Sequence, residues 1–197
     1  DGSPTIRAER LAFGDTAGRN EAWLRDTLFA YPDLLPLRDI DPSFGPLIPL
    51  CTELRTDAGP LDIAFINRFG RLTLVECKLW RNPQARREVV GQILDYAREL
   101  ARYSYEDLQR QISVARKESG NVLYALAQAA GSALDEARFV DRVSRDLAAG
   151  RFLLLVVGDG IAEGTRRIGE YLRAQPGLAF DFGLIEIVEY RLTDSEG

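Results

Sequence analysis

Apolar and polar positions alternate along Leu61-Asp62-Ile63-Ala64-Phe65-Ile66, with Leu61, Ile63 and Phe65 on one face and Asp62 on the other, the period of a strand. A turn near Arg68-Phe69-Gly70 leads into a second strand over 71–80, and the short connection predicts a hairpin. Upstream, 47–55 reads as a strand that ends at the Asp57-Ala58-Gly59-Pro60 turn. Other segments carry the helical period. Asn20 caps a helix whose apolar face is Trp23, Leu24, Leu28 and Phe29, and Pro32 ends it. Asn82 and Pro83 start a helix that runs to about Arg102, with Val89, Ile93, Ala97 and Leu100 as its stripe. Ser104 and Asp107 open a further helix through Ile112, and helical segments fill 121–148 until Gly150. The run Phe152 to Val157 has the character of a strand buried on both faces; an amphipathic helix over 161–173 and a last strand over 180–190 follow it.

The order helix, three strands, helices, strand, helix, strand predicts an α/β fold. No repeat or linker forces a cut, so residues 1–197 are expected to form one domain, with a core over 20–103 and 150–192 and a helical insertion over 104–149. The longest apolar run, Phe152 to Val157, is far short of the roughly 20 residues of a membrane span. No secretory signal is visible either, and the expectation is a cytoplasmic protein without a membrane partner.

Composition removes whole mechanisms. The 197 residues include no histidine, so neither a Ser-His-Asp nor a Cys-His arrangement can be assembled and no histidine can ligate zinc or haem. Two cysteines, Cys51 and Cys77, are too few for a zinc cage and read as reduced, buried thiols. Hydrolysis by this chain would rest on carboxylates, lysine, tyrosine or metal-bound water. Of the 25 basic residues only Lys78 and Lys117 are lysines.

Lys78 stands beside the segment with the most chemical content. Glu76 and Lys78 are two apart on one strand and share a face, while Cys77 points into the other layer. If the hairpin pairs, Asp62 lies beside Glu76. Two carboxylates and an ammonium then meet at one end of a sheet, a set suited to phosphodiester hydrolysis: the carboxylates hold a divalent metal, the metal neutralises phosphate and acidifies water, and the cation orients or stabilises. Oxygen donors favour Mg2+ or Mn2+ over zinc. Arginine cannot give up its proton and has a different shape, which gives a lysine at this position its weight. Gln92 and Tyr96 follow at helical spacing, four apart on one face. An exposed strand of alternating charge, with the acids and lysine merely paired, is the structural reading of the same residues.

Asp62, Glu76-Cys77-Lys78 and Gln92-Ile93-Leu94-Asp95-Tyr96 together resemble the PD-(D/E)xK phosphodiesterase superfamily, with Leu61-Asp62 in place of Pro-Asp. The segment from Asn20-Glu21 to Pro32-Asp33-Leu34-Leu35 is similar to the nuclease domain of NucS-type endonucleases. The resemblance implies a restriction-endonuclease-like core, a mixed central β-sheet flanked by helices, and a Mg2+- or Mn2+-dependent nuclease acting on nucleic acid, more specifically DNA. It implies Asp62 and Glu76 as metal ligands helped by the Cys77 carbonyl, Lys78 acting on the nucleophilic water, Gln92 orienting the site and Tyr96 contacting substrate. Glu21 matches an additional acidic residue near the metal, with Glu53 a second candidate. A homodimer is compatible with the resemblance. The competing expectation is a module that keeps the nuclease fold without catalysis and serves in binding or interaction.

Charge adds one point. The net charge of −5 argues against indiscriminate nucleic-acid binding, but residues 78–117 carry 9 basic and 5 acidic side chains within an otherwise acidic chain. Arg81 and Arg86 in this stretch are candidate substrate contacts.

Overall fold

The computed structural model describes residues 6–14, 18–79 and 85–194. Its strands are β1 (Ile6–Arg10), β2 (Ile48–Thr56), β3 (Gly59–Ile66), β4 (Leu72–Lys78), β5 (Phe152–Gly158), β6 (Asp181–Glu186) and β7 (Tyr190–Asp194). Its helices are α1 (Glu21–Ala30), α2 (Leu37–Ile40), α3 (Ala85–Leu100), α4 (Tyr105–Arg116), α5 (Val122–Ala129), α6 (Glu136–Ala148) and α7 (Glu163–Ala174). The start expected at Asn82-Pro83 for α3 lies outside the described residues.

The architecture is α/β, built on a five-stranded mixed sheet in the order β2-β3-β4-β5-β6. β2, β3 and β4 are antiparallel neighbours, whereas β4, β5 and β6 run parallel. The antiparallel half follows from two short turns. The parallel half needs crossovers, supplied by α3 to α6 and by α7. β5 is buried at every position, which accounts for its unbroken apolar run between two parallel neighbours.

Each face of the sheet is covered. On one side Leu72, Leu74, Leu154 and Val156 pack under α3 to α6, into which α3 delivers Val89, Ile93, Ala97 and Leu100 along the stripe read from the sequence. On the other, Ile63, Phe65, Val75, Cys77 and Leu155 pack against Leu24 and Leu28 of α1. Fully burying one such side chain is worth about 1.5–3 kcal/mol, so these two layers hold the sheet ends in place. Asn20 caps α1 by accepting from the Trp23 N–H, and Ser104 with Asp107 forms a complete capping box on α4.

Two departures from the sequence reading concern the termini. The strand expected over 180–190 is two strands: β6 stays in the sheet to Glu186, after which the Ile187 N–H bonds the Gly158 carbonyl and the chain leaves the sheet. β7 then pairs with β1, a strand that the sequence reading lacked, in a separate two-stranded ribbon. The ribbon is exposed, and exposure leaves a strand without the apolar alternation that reveals one. Among the described residues no helix is long and apolar enough to cross a membrane.

Candidate active site at the end of the central strands

Asp62 is reached through a tight turn. Gly59 takes φ +119°, a conformation that favours glycine, and Pro60 follows it at the start of β3. The turn is held from above by α3: the Tyr96 hydroxyl donates to the Pro60 carbonyl at 2.9 Å and accepts from Gln92 Nε2 at 2.7 Å. The side chains of Gln92 and Tyr96 thus position the entry to β3, two residues before Asp62.

The β3–β4 ladder pairs Ile63 with Val75, and the next step of that register places Asp62 opposite Glu76. There the Asp62 carboxylate crosses to β4 and accepts the Cys77 N–H at 2.8 Å. In extended backbone the carbonyl of a residue leaves the strand on the side of its N–H, so the Cys77 carbonyl is directed toward the same gap. The Cys77 thiol goes the opposite way, into the α1 layer, where burial holds its pKa well above the usual thiol range.

Glu76 is buried, 5% exposed, on the sheet face that lies under α3. Its Oε2 has no hydrogen-bond partner among the described residues. Burial and then the Asp62 charge push its pKa up to about 8, against the opposing pull of Lys78 and of the Asp62 main-chain N–H that faces it. Asp62 is raised by the same desolvation, offset chiefly by the Cys77 N–H and Arg25. The charge on Asp62 thus disfavours ionisation of Glu76, and that on Glu21 disfavours ionisation of Asp62. A cation between Asp62 and Glu76 would relieve both.

Lys78 closes the strand with its Nζ 3.2 Å from Glu21 Oε1. The same Glu21 oxygen accepts the Leu79 N–H at 3.0 Å, so the first turn of α1 is tied to the end of β4. Glu21 and Arg25 lie one turn apart on α1. Arg25 is largely buried, pairs with Glu53 at 2.5 Å and with Asp26 at 2.9 Å, and exerts a favourable field on Asp62. Glu53, midway between the Thr52–Ile63 and Leu54–Leu61 pairs of β2 and β3, sits opposite Asp62 with φ +51°.

The structure therefore brings Asp62, Glu76, Lys78 and the Cys77 main chain to one sheet end, with Glu21 adjoining. It arranges three residues differently from the sequence reading. Tyr96, read as a substrate contact, is 1% exposed, because its ring belongs to the α3 core and its hydroxyl is spent on Pro60 and Gln92. Glu21 and Glu53, the candidates for a further ligating acid, face cations: Glu21 is engaged by Lys78 and Leu79, Glu53 by Arg25. Among the described residues no group of three or more acidic or cysteine side chains could hold a metal ion, so any ion here relies on two carboxylates, main chain and water. Arg81 lies outside the described residues, as does the side chain of Arg86. Arg25 escaped the sequence reading; the signal present was its i, i+4 spacing from Glu21.

Comparison of the chain with protein-family models, with curated proteins and with solved structures gives no match.

Proposed function

We propose that this protein is a metal-dependent nuclease of the PD-(D/E)xK type, on a restriction-endonuclease-like core, that hydrolyses phosphodiester bonds in DNA. One observation carries the reading: a buried carboxylate oxygen of Glu76 that has no partner among the described residues, beside the Asp62 carboxylate. Buried polar atoms are almost always satisfied, and two buried carboxylates, both raised in pKa by desolvation and one of them also by the other's charge, form a donor set for a hard divalent cation. The donor set fits Mg2+ or Mn2+, with Asp62, Glu76 and the Cys77 carbonyl as holders; such an ion supplies charge neutralisation and an acidified water.

The remaining work falls to the chain itself. Lys78 brings a compact ammonium to the rim of the pair, where it orients an attacking water or stabilises charge building on the phosphoryl oxygens. Glu21 fixes that ammonium and, through Leu79, the strand end that carries it. Gln92 and Tyr96 hold the Gly59-Pro60 turn and thereby the position of Asp62. The basic stretch 78–117, including Arg81 and Arg86, supplies phosphate contacts.

Calorimetric titration with MnCl2 tests the site. One saturable event in the wild type, absent in Asp62→Asn and in Glu76→Gln, is expected. No binding by the wild-type protein would favour a catalytically inactive binding module.

A further inference from the structure

At the other end of β4 three arginines surround a small cavity. Arg71 comes from the β3–β4 turn, Arg142 from α6 and Arg151 from the loop between α6 and β5; with Phe44, Asp146 and Asp181 they line a space of about 100 Å³. That volume holds several waters, and so one tetrahedral oxyanion. Arg71 immediately precedes β4 and Glu76 lies five residues further on, which at the strand rise separates the cavity from the carboxylates by about 17 Å.

The arginines are placed by a built scaffold. Buried Asn67 accepts the N–H groups of Phe69 and Arg71 at 2.9 and 3.0 Å and donates to the Ser43 carbonyl at 2.9 Å, fixing the turn to the segment that carries Phe44. The Arg71 guanidinium lies over the Phe44 ring and donates to the Ser43 hydroxyl. Gly70 brings the turn against α6, so closely that a Cβ would stand 2.7 Å from Val143 Cγ2. Arg151 is set by the end of α6, its N–H on the Asp146 carbonyl at 2.8 Å and its guanidinium 3.4 Å from the Asp146 carboxylate. Arg142 is half-buried, and its guanidinium makes no hydrogen bond or ion pair with any described residue. A guanidinium with five donors and no described partner, lining a cavity with two other arginines, is suited to an anion.

The two acids do not cancel this demand. Asp146 is buried and pairs with Arg151, Asp181 lies beside Arg71 and Asp41, and neither acid engages Arg142.

We infer that Arg71, Arg142 and Arg151 form an oxyanion site for a phosphate group, distinct from the carboxylate pair. The phosphate is either free or the terminal phosphate of a polynucleotide. Binding of inorganic phosphate to the full chain, followed by calorimetry, tests the inference. Wild type should bind saturably at one site, and Arg142→Gln and Arg151→Gln should each weaken binding by about tenfold or more, the loss of a charge-assisted hydrogen bond. Arg138→Gln, which removes a charge from an exposed position of the same helix, should leave binding unchanged. Circular dichroism and melting of each variant confirm its fold. An absence of saturable binding, or equal weakening by all three substitutions, overturns the inference. Competition by a 5′-phosphorylated oligonucleotide that the 5′-hydroxyl form does not reproduce assigns the phosphate to a strand end; equal behaviour of the two assigns it to a free phosphate. The phosphate titrations and the arginine variants do not touch the carboxylate pair, and the oligonucleotide arm is run without divalent metal, so failure here leaves the nuclease reading intact.

Discussion

Asp62 and Glu76 face each other across β3 and β4, and each directs its carboxylate at the other strand: Asp62 accepts the Cys77 N–H at 2.8 Å, and the Asp62 N–H faces Glu76. The ladder ends where this exchange begins. Side-chain oxygens thus take over from main-chain carbonyls, which stations two carboxylates at a sheet end at the cost of burying one without a full set of partners.

That burial makes stability depend on pH. Glu76 ionises near its ordinary value of 4.5 when unfolded and near 8 when folded. The native state therefore binds the extra proton between these values, so the Glu76 contribution to stability is greatest below the lower one, falls as pH rises by about 1.4 kcal/mol per unit, and levels off above the upper one. Urea unfolding of the wild type and of Glu76→Gln from pH 5 to 8 checks this. The variant should lose the Glu76 part of the slope and be the more stable protein at pH 8; parallel pH profiles would show that Glu76 does not titrate in this window.

Tyr96→Phe leaves the Pro60 carbonyl and Gln92 without the hydroxyl, and should lower stability by about 1–2 kcal/mol. Because the ring is buried, substrate affinity should not change, and any loss should fall on kcat through the displaced Asp62. A rise in KM at constant kcat would restore Tyr96 as a substrate contact.

Two glycines should respond with opposite signs to alanine. Gly70 has φ +87° and no room for a Cβ, so Gly70→Ala should destabilise by about 2 kcal/mol or more. Gly91 lies within α3 with open space around it, and Gly91→Ala should stabilise by about 0.5–1 kcal/mol. Thermal denaturation of both variants separates the two effects.

Lys78→Arg keeps a cation beside Glu21, and a half-exposed pair of this kind contributes about 1 kcal/mol at most, so melting should hardly move. Catalysis should fall by about 10²-fold, since the planar guanidinium cannot occupy the place of a compact ammonium. Wild-type cleavage by this variant would reduce Lys78 to a counter-charge.

How much of this was legible in the sequence depends on how local each signal is. The β3–β4 hairpin and the α3 stripe announce themselves, since alternation and the 3.6 period are properties of neighbouring residues, and the hairpin places Asp62 beside Glu76. The ribbon of β1 and β7 joins residues nearly 190 apart and buries no face that would pattern either strand. Tyr96 illustrates a different limit: its spacing from Gln92 is visible, but whether a tyrosine faces solvent or core depends on the Gly59-Pro60 turn that packs on it. Arg25 and the arginine cavity rest on charges brought together from separate segments, which no local pattern encodes.

Phosphodiester cleavage by Asp62, Glu76 and Lys78 is the proposed activity. Its most direct test is the rate at which labelled single-stranded, double-stranded and branched DNA is cleaved in Mg2+ or Mn2+ by the wild type, Asp62→Asn and Lys78→Ala. Metal-dependent cleavage of at least one substrate by the wild type is expected, with a loss of about 10²-fold or more in each folded variant. Equal rates for the three proteins, or no cleavage by a wild type that is folded and metal-loaded, would contradict it.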